Sequence, residues 1–271
     1  MTEAFGHKVS VGPPYFNAVA GPIALMLMLV MAAGPLTRWR RDEPGVVAGR
    51  LLWPAGLMAG TGAALGVVAW GQIGVLPALG LVVAAAVAPA SLIPLTKRNL
   101  RRTPLFTYGM VLAHLGCAVS LAGMAAESAF STERLVAMKP GDSAEASGWR
   151  IRFDKVAPLA GPNWVAMQAD IAVSRGGEAE MLHPQSRFFS DPPTTTTESA
   201  ILTRWNGQLY VVLGEALEDG RWQMRIWWKP FVTLIWLGGI LIAAGGTLTL
   251  IGRERRGWSL KLRRGTARNA A

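Results

Sequence analysis

The sequence predicts a polytopic α-helical membrane protein of five spans, N-terminus outside and C-terminus inside. An extracytoplasmic antiparallel β-domain is set between spans four and five. Three observations predict this class. The chain is 51% hydrophobic and 16% charged, whereas typical soluble proteins are about 25% charged. Its apolar residues gather into five stretches, each near the roughly 20 residues a helix needs to cross a bilayer. The segment before the last stretch is different in kind: Trp149-Arg150-Ile151-Arg152-Phe153-Asp154 and Trp222-Gln223-Met224-Arg225-Ile226 alternate apolar and polar, the period of half-buried strands.

Residues 1–17 read as a short extracytoplasmic lead. They carry neither a basic nor an apolar signal-peptide region, and VGPPYFN suits an irregular interfacial approach. Four spans are expected within 18–126. Span one runs from Ala18 to Leu36. Span two runs from Leu51 to Trp70, with Gly56, Gly60 and Ala64 as a narrow packing face. Span three runs from Val75 to Leu95 and contains Pro77, Pro89 and Pro94. Such prolines are tolerated where neighbouring helices re-satisfy the backbone.

Span four, Thr103 to Ala126, holds His114 near its middle. Gly109, Ala113 and Cys117, and separately Gly116 and Ser120, form small-residue faces along it. The β-domain is expected over 127–229, punctuated by Pro140-Gly141-Asp142, Gly161-Pro162-Asn163, Arg175-Gly176-Gly177 and Asp219-Gly220. The run Asp191 to Thr197 reads as an exposed loop. Span five occupies 230–252, with Gly239 and Ala243 as its packing face. The basic tail, 253–271, reads as cytoplasmic and largely disordered, held near anionic lipid by its charge.

Charge sets the orientation. The two loops at 37–50 and 96–103 and the tail together hold 15 basic and 3 acidic residues, while 127–229 hold 11 basic and 13 acidic. The net charge of +10 is therefore a positive-inside signal, and nucleic acid is excluded as a partner. One cysteine precludes an intramolecular disulfide. No CxxC pair and no P-loop is present in the sequence.

His114 is the candidate for chemistry. An ionisable side chain at mid-bilayer costs several kcal/mol unless compensated. Two readings answer that cost: a hydrogen bond to a neighbouring helix, or axial ligation of haem iron, for which imidazole is a common ligand.

Eight segments occur in order: VSVGPPYFN, AHLGCAVSLAG, FSTERLVAMKPGDS, GPNW, HPQSRFF, TESAI, LYVVLGE and WWKPFVTLIWLGGILIAAGG. Together they resemble the C-terminal part of the cytochrome c maturation protein F (CcmF/NrfE) family, over about Lys8 to Ile251. The resemblance implies a haem lyase of the bacterial inner membrane, with the β-domain in the periplasm. Such a lyase takes haem from a haem chaperone and joins its vinyl groups to the CxxCH thiols of apocytochrome c, which thiol-handling partners present. It also implies that His114 is an axial ligand of a membrane haem b.

The family's tryptophan-rich segment, second buried ligand and two periplasmic histidines have no counterpart in this sequence. The second axial ligand is therefore expected from outside the chain, from an N-terminal lyase part or partner chain. Alone, the chain is expected to be a non-autonomous part of the enzyme. His7 reads as a solvated lead residue. Trp164, His183, Trp227 and Trp228 are candidate periplasmic interaction residues. Catalytic residues cannot be picked among Glu133, Arg134, Asp142, Asn163, Arg187 and Glu198, which also suit turns, caps and surface pairs. The alternative function is a membrane-anchored scaffold that docks cytochrome c assembly partners without binding haem. A small transporter subunit fits less well, because apart from His114 the spans lack ionisable residues.

Overall fold

The computed structural model describes residues 2–4, 7–9, 12, 15–37, 43–69, 71–96 and 98–268. For 2–4, 7–9, 35 and 255–268 it describes the backbone alone. Arg38, Arg40, Arg41, Lys97, the predicted end of span two at Trp70, and the side chain of His7 lie outside this description. The chain divides into a helical unit, 1–129 with 234–271, and a β unit, 130–233.

In the helical unit, five helices among the described residues are long and apolar enough to cross a membrane. A π-turn at Phe16–Ala20 leads into α1 (Gly21–Ala33); α2 (Pro44–Val68), α3 (Val75–Leu92) and α4 (Leu105–Phe130) follow. The last helix, α5 (Thr233–Arg268), returns after the β unit. Proline opens α2 at the position where its missing N–H costs nothing. The half-buried Arg50 of α2 donates from Nη1 to Leu36 O at 2.9 Å, satisfying a carbonyl at the end of the first span.

The helices pack through small residues. Val83, Ala84, Val87 and Ala90 of α3 form one buried cluster with Ala118 and Leu121 of α4 and Ala32 of α1. Packing between α4 and α5 is tighter. Gly109, Gly116 and Gly123 recur every seven residues on α4, as do Gly238, Gly245 and Gly252 on α5. A Cβ at Gly116 would lie 2.7 Å from Gly238 O and 2.8 Å from Ile242 N, and one at Gly123 would lie 2.8 Å from Ile235 N. The two backbones run antiparallel in direct contact, and Ser120 Oγ donates across to Ile235 O at 3.2 Å.

The faces expected from four-residue spacing are corrected in two helices. Gly56 and Gly60 of α2 and Gly239 of α5 have open space where a side chain would project. The contacts fall instead at Gly62, 3.8 Å from Val82, and on the Gly238 row. The tail is also corrected, because the helical backbone continues to Arg268. Its Arg, Lys and Leu are good helix formers, and its cations suit a helix C-terminus. In the lead, Thr2–Ala4 (β1) and His7–Val9 (β2) pair as antiparallel strands ahead of the VGPPYFN segment, of which Val11, Pro13 and Pro14 lie outside the described residues.

The β unit is a sandwich. One sheet has the order β10-β11-β12-β3, formed by Ala200–Arg204, Gly207–Ala216, Trp222–Pro230 and Thr132–Met138. The other has the order β4-β5-β6-β8-β9, formed by Ser143–Ala146, Trp149–Ala160, Trp164–Ser174, Gln185–Ser190 and Pro193–Glu198. The short β7 (Glu180–Leu182) pairs beside β6. All pairings are antiparallel. The alternation in β5 and β12 puts Trp149, Ile151, Phe153, Met224, Ile226 and Trp228 into the core between the sheets.

The run at Asp191 to Thr197 is a correction, since Pro193 to Glu198 form edge strand β9 on β8. Its β-branched threonines fit a pleated sheet, and proline at the start of an edge strand removes no needed donor. The exposure expected for this run is present at every residue of the strand.

On the outer surface of β6, Asp170 collects two donors. Lys155 Nζ lies 3.1 Å from Oδ2, and His183 Nδ1–H donates to Oδ1 at 2.8 Å. Burial alone would raise the Asp170 carboxyl. The hydrogen bonds from Lys155 and His183, with their charge, outweigh it and hold the group below the usual carboxylate range.

Two predictions follow from the packing and from this triad. Gly116→Ala should destabilise the chain by about 1–3 kcal/mol through overpacking, while Gly239→Ala should be neutral or up to about 1 kcal/mol stabilising. Thermal unfolding in detergent, read from labelling of the sole thiol at Cys117, checks this; equal midpoints for the two variants would contradict the glycine interface. The folded-state pKa of Asp170 is depressed, so its stabilisation is present above the unfolded value of about 3.9 and is lost as pH falls through the folded value. Asp170→Asn should therefore cost up to about 1 kcal/mol near neutral pH and nothing in strong acid, as measured by denaturation at the two pH values.

Candidate functional site

His114 lies on α4, nine residues after Leu105 and sixteen before Phe130. Glu127 marks the polar end of that helix. At 100° per residue, His114 shares a face with Leu121 and Ala125, which meet α3 at Gly80. This face is nearly opposite the glycine row that contacts α5. The imidazole is therefore kept clear of the α4–α5 seam and is half-buried.

Its Nδ1 lies 2.7 Å from Met110 O, one turn back along the helix. A carbonyl can only accept, so Nδ1 carries the proton and Nε2 presents its lone pair. Nε2 has no hydrogen bond among the described residues. A backbone carbonyl on one ring nitrogen is the usual arrangement for a metal-ligating histidine, since it fixes the ring and raises the basicity of the other nitrogen. Among the described residues no group of three or more His, Cys, Asp or Glu could hold a metal ion. His114 thus offers one nitrogen, Nε2, as a possible ligand or acceptor, and no second and third side-chain ligand is gathered beside it among the described residues.

The other predicted residues are not brought together. Trp164 opens β6, with the Arg187 guanidinium 4.5 Å from its ring centre. A side chain at Gly161 would collide with that indole, so the turn needs glycine there. His183 belongs to the Asp170 triad, with its ring half-exposed. Trp227 faces outward on β12, with Arg225 5.2 Å over its ring. Its neighbour Trp228 points the other way, is 9% exposed, and packs against Trp149 at 5.8 Å. Arg175 lies 5.3 Å over Trp228. Trp164 and Trp228 sit at opposite ends of the sandwich, since the β5–β6 turn and the start of β5 are at opposite ends of one strand.

One prominent residue lies outside the set that the sequence singles out. Trp205, at the β10–β11 hairpin tip, is 86% exposed. The signal was present in Trp205-Asn206-Gly207, because Asn-Gly between alternating runs marks a hairpin turn.

Comparison with known proteins places this geometry in a family. Residues 129–230 match the family described as the CcmF C-terminal β-sandwich. The cytochrome c-type biogenesis protein CcmF of Pseudomonas fluorescens is 36% identical over 260 residues, covering 93% of this chain and 39% of that protein. CcmF of Escherichia coli K12 is 36% identical over 246 residues, covering 90% and 38%. The cytochrome c-type biogenesis protein NrfE of Haemophilus influenzae is 28% identical over 258 residues, covering 92% and 39%. The chain thus spans about two-fifths of the length of these relatives. A solved structure titled cytochrome c heme lyase CcmF shares the fold with a TM-score of 0.73 at 22% identity, over 88% of this chain and 40% of that one. Sequence and fold agree: this is a membrane protein of the CcmF/NrfE cytochrome c-type biogenesis family, corresponding to the family's C-terminal region.

Proposed function

We propose that the chain is the C-terminal portion of a cytochrome c haem lyase, and that His114 supplies one axial ligand to a membrane haem b. The observation that carries the reading is the fixed tautomer of His114, whose Nδ1–H is committed to Met110 O while Nε2 has no hydrogen bond among the described residues. The histidine belongs to the AHLG segment, for which the family resemblance implies a haem ligand, and this supports the reading. Nε2 would hold the iron, and the second axial ligand comes from an N-terminal lyase part or partner chain. Two imidazoles on haem iron would supply one-electron transfer. The role of this chain there is to orient one imidazole, hold its proton on Nδ1 and surround it with apolar helix.

The basic loop and tail residues put the N-terminus outside the bacterial inner membrane and the C-terminus inside. The β-sandwich then lies in the periplasm, where the haem chaperone and apocytochrome c meet the lyase. Trp164 with Arg187 and Trp227 with Arg225 offer aromatic–cation surfaces to those partners. His183 offers an oriented imidazole, and Trp228 supports Trp227 from within the core. Thioether formation requires haem held beside the acceptor thiols, so the lyase activity belongs to the assembled pair of parts.

Absorption spectroscopy of the purified chain, with and without a co-expressed N-terminal lyase part, tests the reading. Low-spin b-type bands should appear with the partner and be lost in His114→Ala, whose sandwich remains folded by circular dichroism. Full haem retention in that variant would overturn the assignment. Unchanged cytochrome c yield would leave the chain a scaffold.

A further inference from the structure

The two ends of the sandwich differ in chemistry. At one end the β11–β12 turn carries Glu218, Asp219 and Gly220, acidic and exposed, with Arg221 closing on Asp219. At the other end the β10–β11 hairpin closes at the pair Arg204 and Gly207, leaving Trp205-Asn206 as its tip. The Trp205 indole there is almost wholly exposed. A large aromatic held in water at a hairpin tip marks a contact surface.

Three contacts fix the height of this tip. A Cβ at Gly207 would lie 2.6 Å from Lys229 O and 2.9 Å from Pro230 Cα, so the hairpin is seated directly on the end of β12. The Phe231 N–H donates to Asn206 O at 2.9 Å. The Thr233 hydroxyl donates to Trp205 O at 3.0 Å. Thr233 is also the first residue of the apolar Thr233–Glu254 span. The backbone of Trp205 is therefore tied, through Thr233, to the level at which the last span begins.

Phe231 adds an independent sign. Its φ is 58°, a left-handed conformation that a bulky aromatic rarely adopts, and its ring is 40% exposed. The junction keeps an aromatic residue where glycine would be less strained. One turn into α5, Trp236 is exposed as well. Aromatic residues concentrated where a span begins are characteristic of the membrane–water interface, where an indole buries its ring and keeps its N–H among polar headgroups.

We propose that the Trp205 hairpin tip, with Phe231, is a lipid-binding anchor that inserts into the headgroup region of the phospholipid bilayer at the periplasmic surface. The proposal rests on the reading that α5 crosses the membrane from Thr233.

The test uses the full chain carrying Cys117→Ala, reconstituted in phosphatidylcholine–phosphatidylglycerol vesicles. An environment-sensitive fluorophore is placed on a single cysteine introduced by Trp205→Cys, Asp219→Cys or Ile240→Cys. A label at 205 should be quenched about twofold more by headgroup spin-labelled lipid than by deep acyl-chain spin label, and it should be shielded from aqueous iodide. A label at 219 should be quenched by iodide alone, and a label at 240 by the deep lipid probe. If 205 behaves like 219, or is shielded from lipid and iodide alike because protein covers it, the anchor is overturned. If 240 also escapes the lipid probes, the membrane reading of α5 fails with it.

Discussion

The direct backbone contact between α4 and α5 is the constraint on which the helical unit turns. Six glycines at seven-residue spacing bring two antiparallel helices close enough that a single methyl group would strike a carbonyl or amide. In a membrane, lipid tails compete as well as leucine for apolar contact, so helices gain from close packing and small faces more than from hydrophobicity. That contact fixes the rotation of α4. With the glycine row committed to α5, the opposite side of α4 carries His114.

The arrangement separates structure from chemistry on one helix. The glycine face is satisfied internally by α5. The face with Leu121 and Ala125 is satisfied by α3. His114 lies on that second face with its ring half-buried and its proton placed on Nδ1 by Met110 O. A ligand from outside the chain would meet an imidazole that is already oriented, so little ordering would remain to be done on binding.

The five spans were legible because an apolar run of bilayer length is the strongest signal a sequence carries. The sandwich was legible in the alternation of Trp149 to Asp154 and Trp222 to Ile226. His114 stood out as the ionisable residue of its span. What could not be read was partnership. Gly239 and Ala243 at four-residue spacing look as good a packing face as Gly238 and Gly245 at seven, and only the register against α4 decides between them. The proton on Nδ1 depends on a carbonyl one turn away, which no residue type announces. The prolines and threonines of 192–197 suit an exposed loop and an edge strand alike, and only pairing with β8 decides between them. The Asn206-Gly207 dipeptide marks a turn, but nothing in the residue type says that the Trp205 indole beside it stays exposed.

The pairing of β3 with β12, with Thr132 opposite Trp228, means that the sandwich opens and closes on one ladder. The partner surface that α4 needs is encoded beyond it. About a hundred residues separate Phe130 from Thr233, so at about 5–20 residues per second the ribosome delivers α5 roughly 5–20 s after α4. Throughout that interval α4 has no mate for its glycine row. It survives because a helix satisfies its own backbone hydrogen bonds in lipid. Assembly of the helical unit is thus paced by synthesis of the domain between α4 and α5.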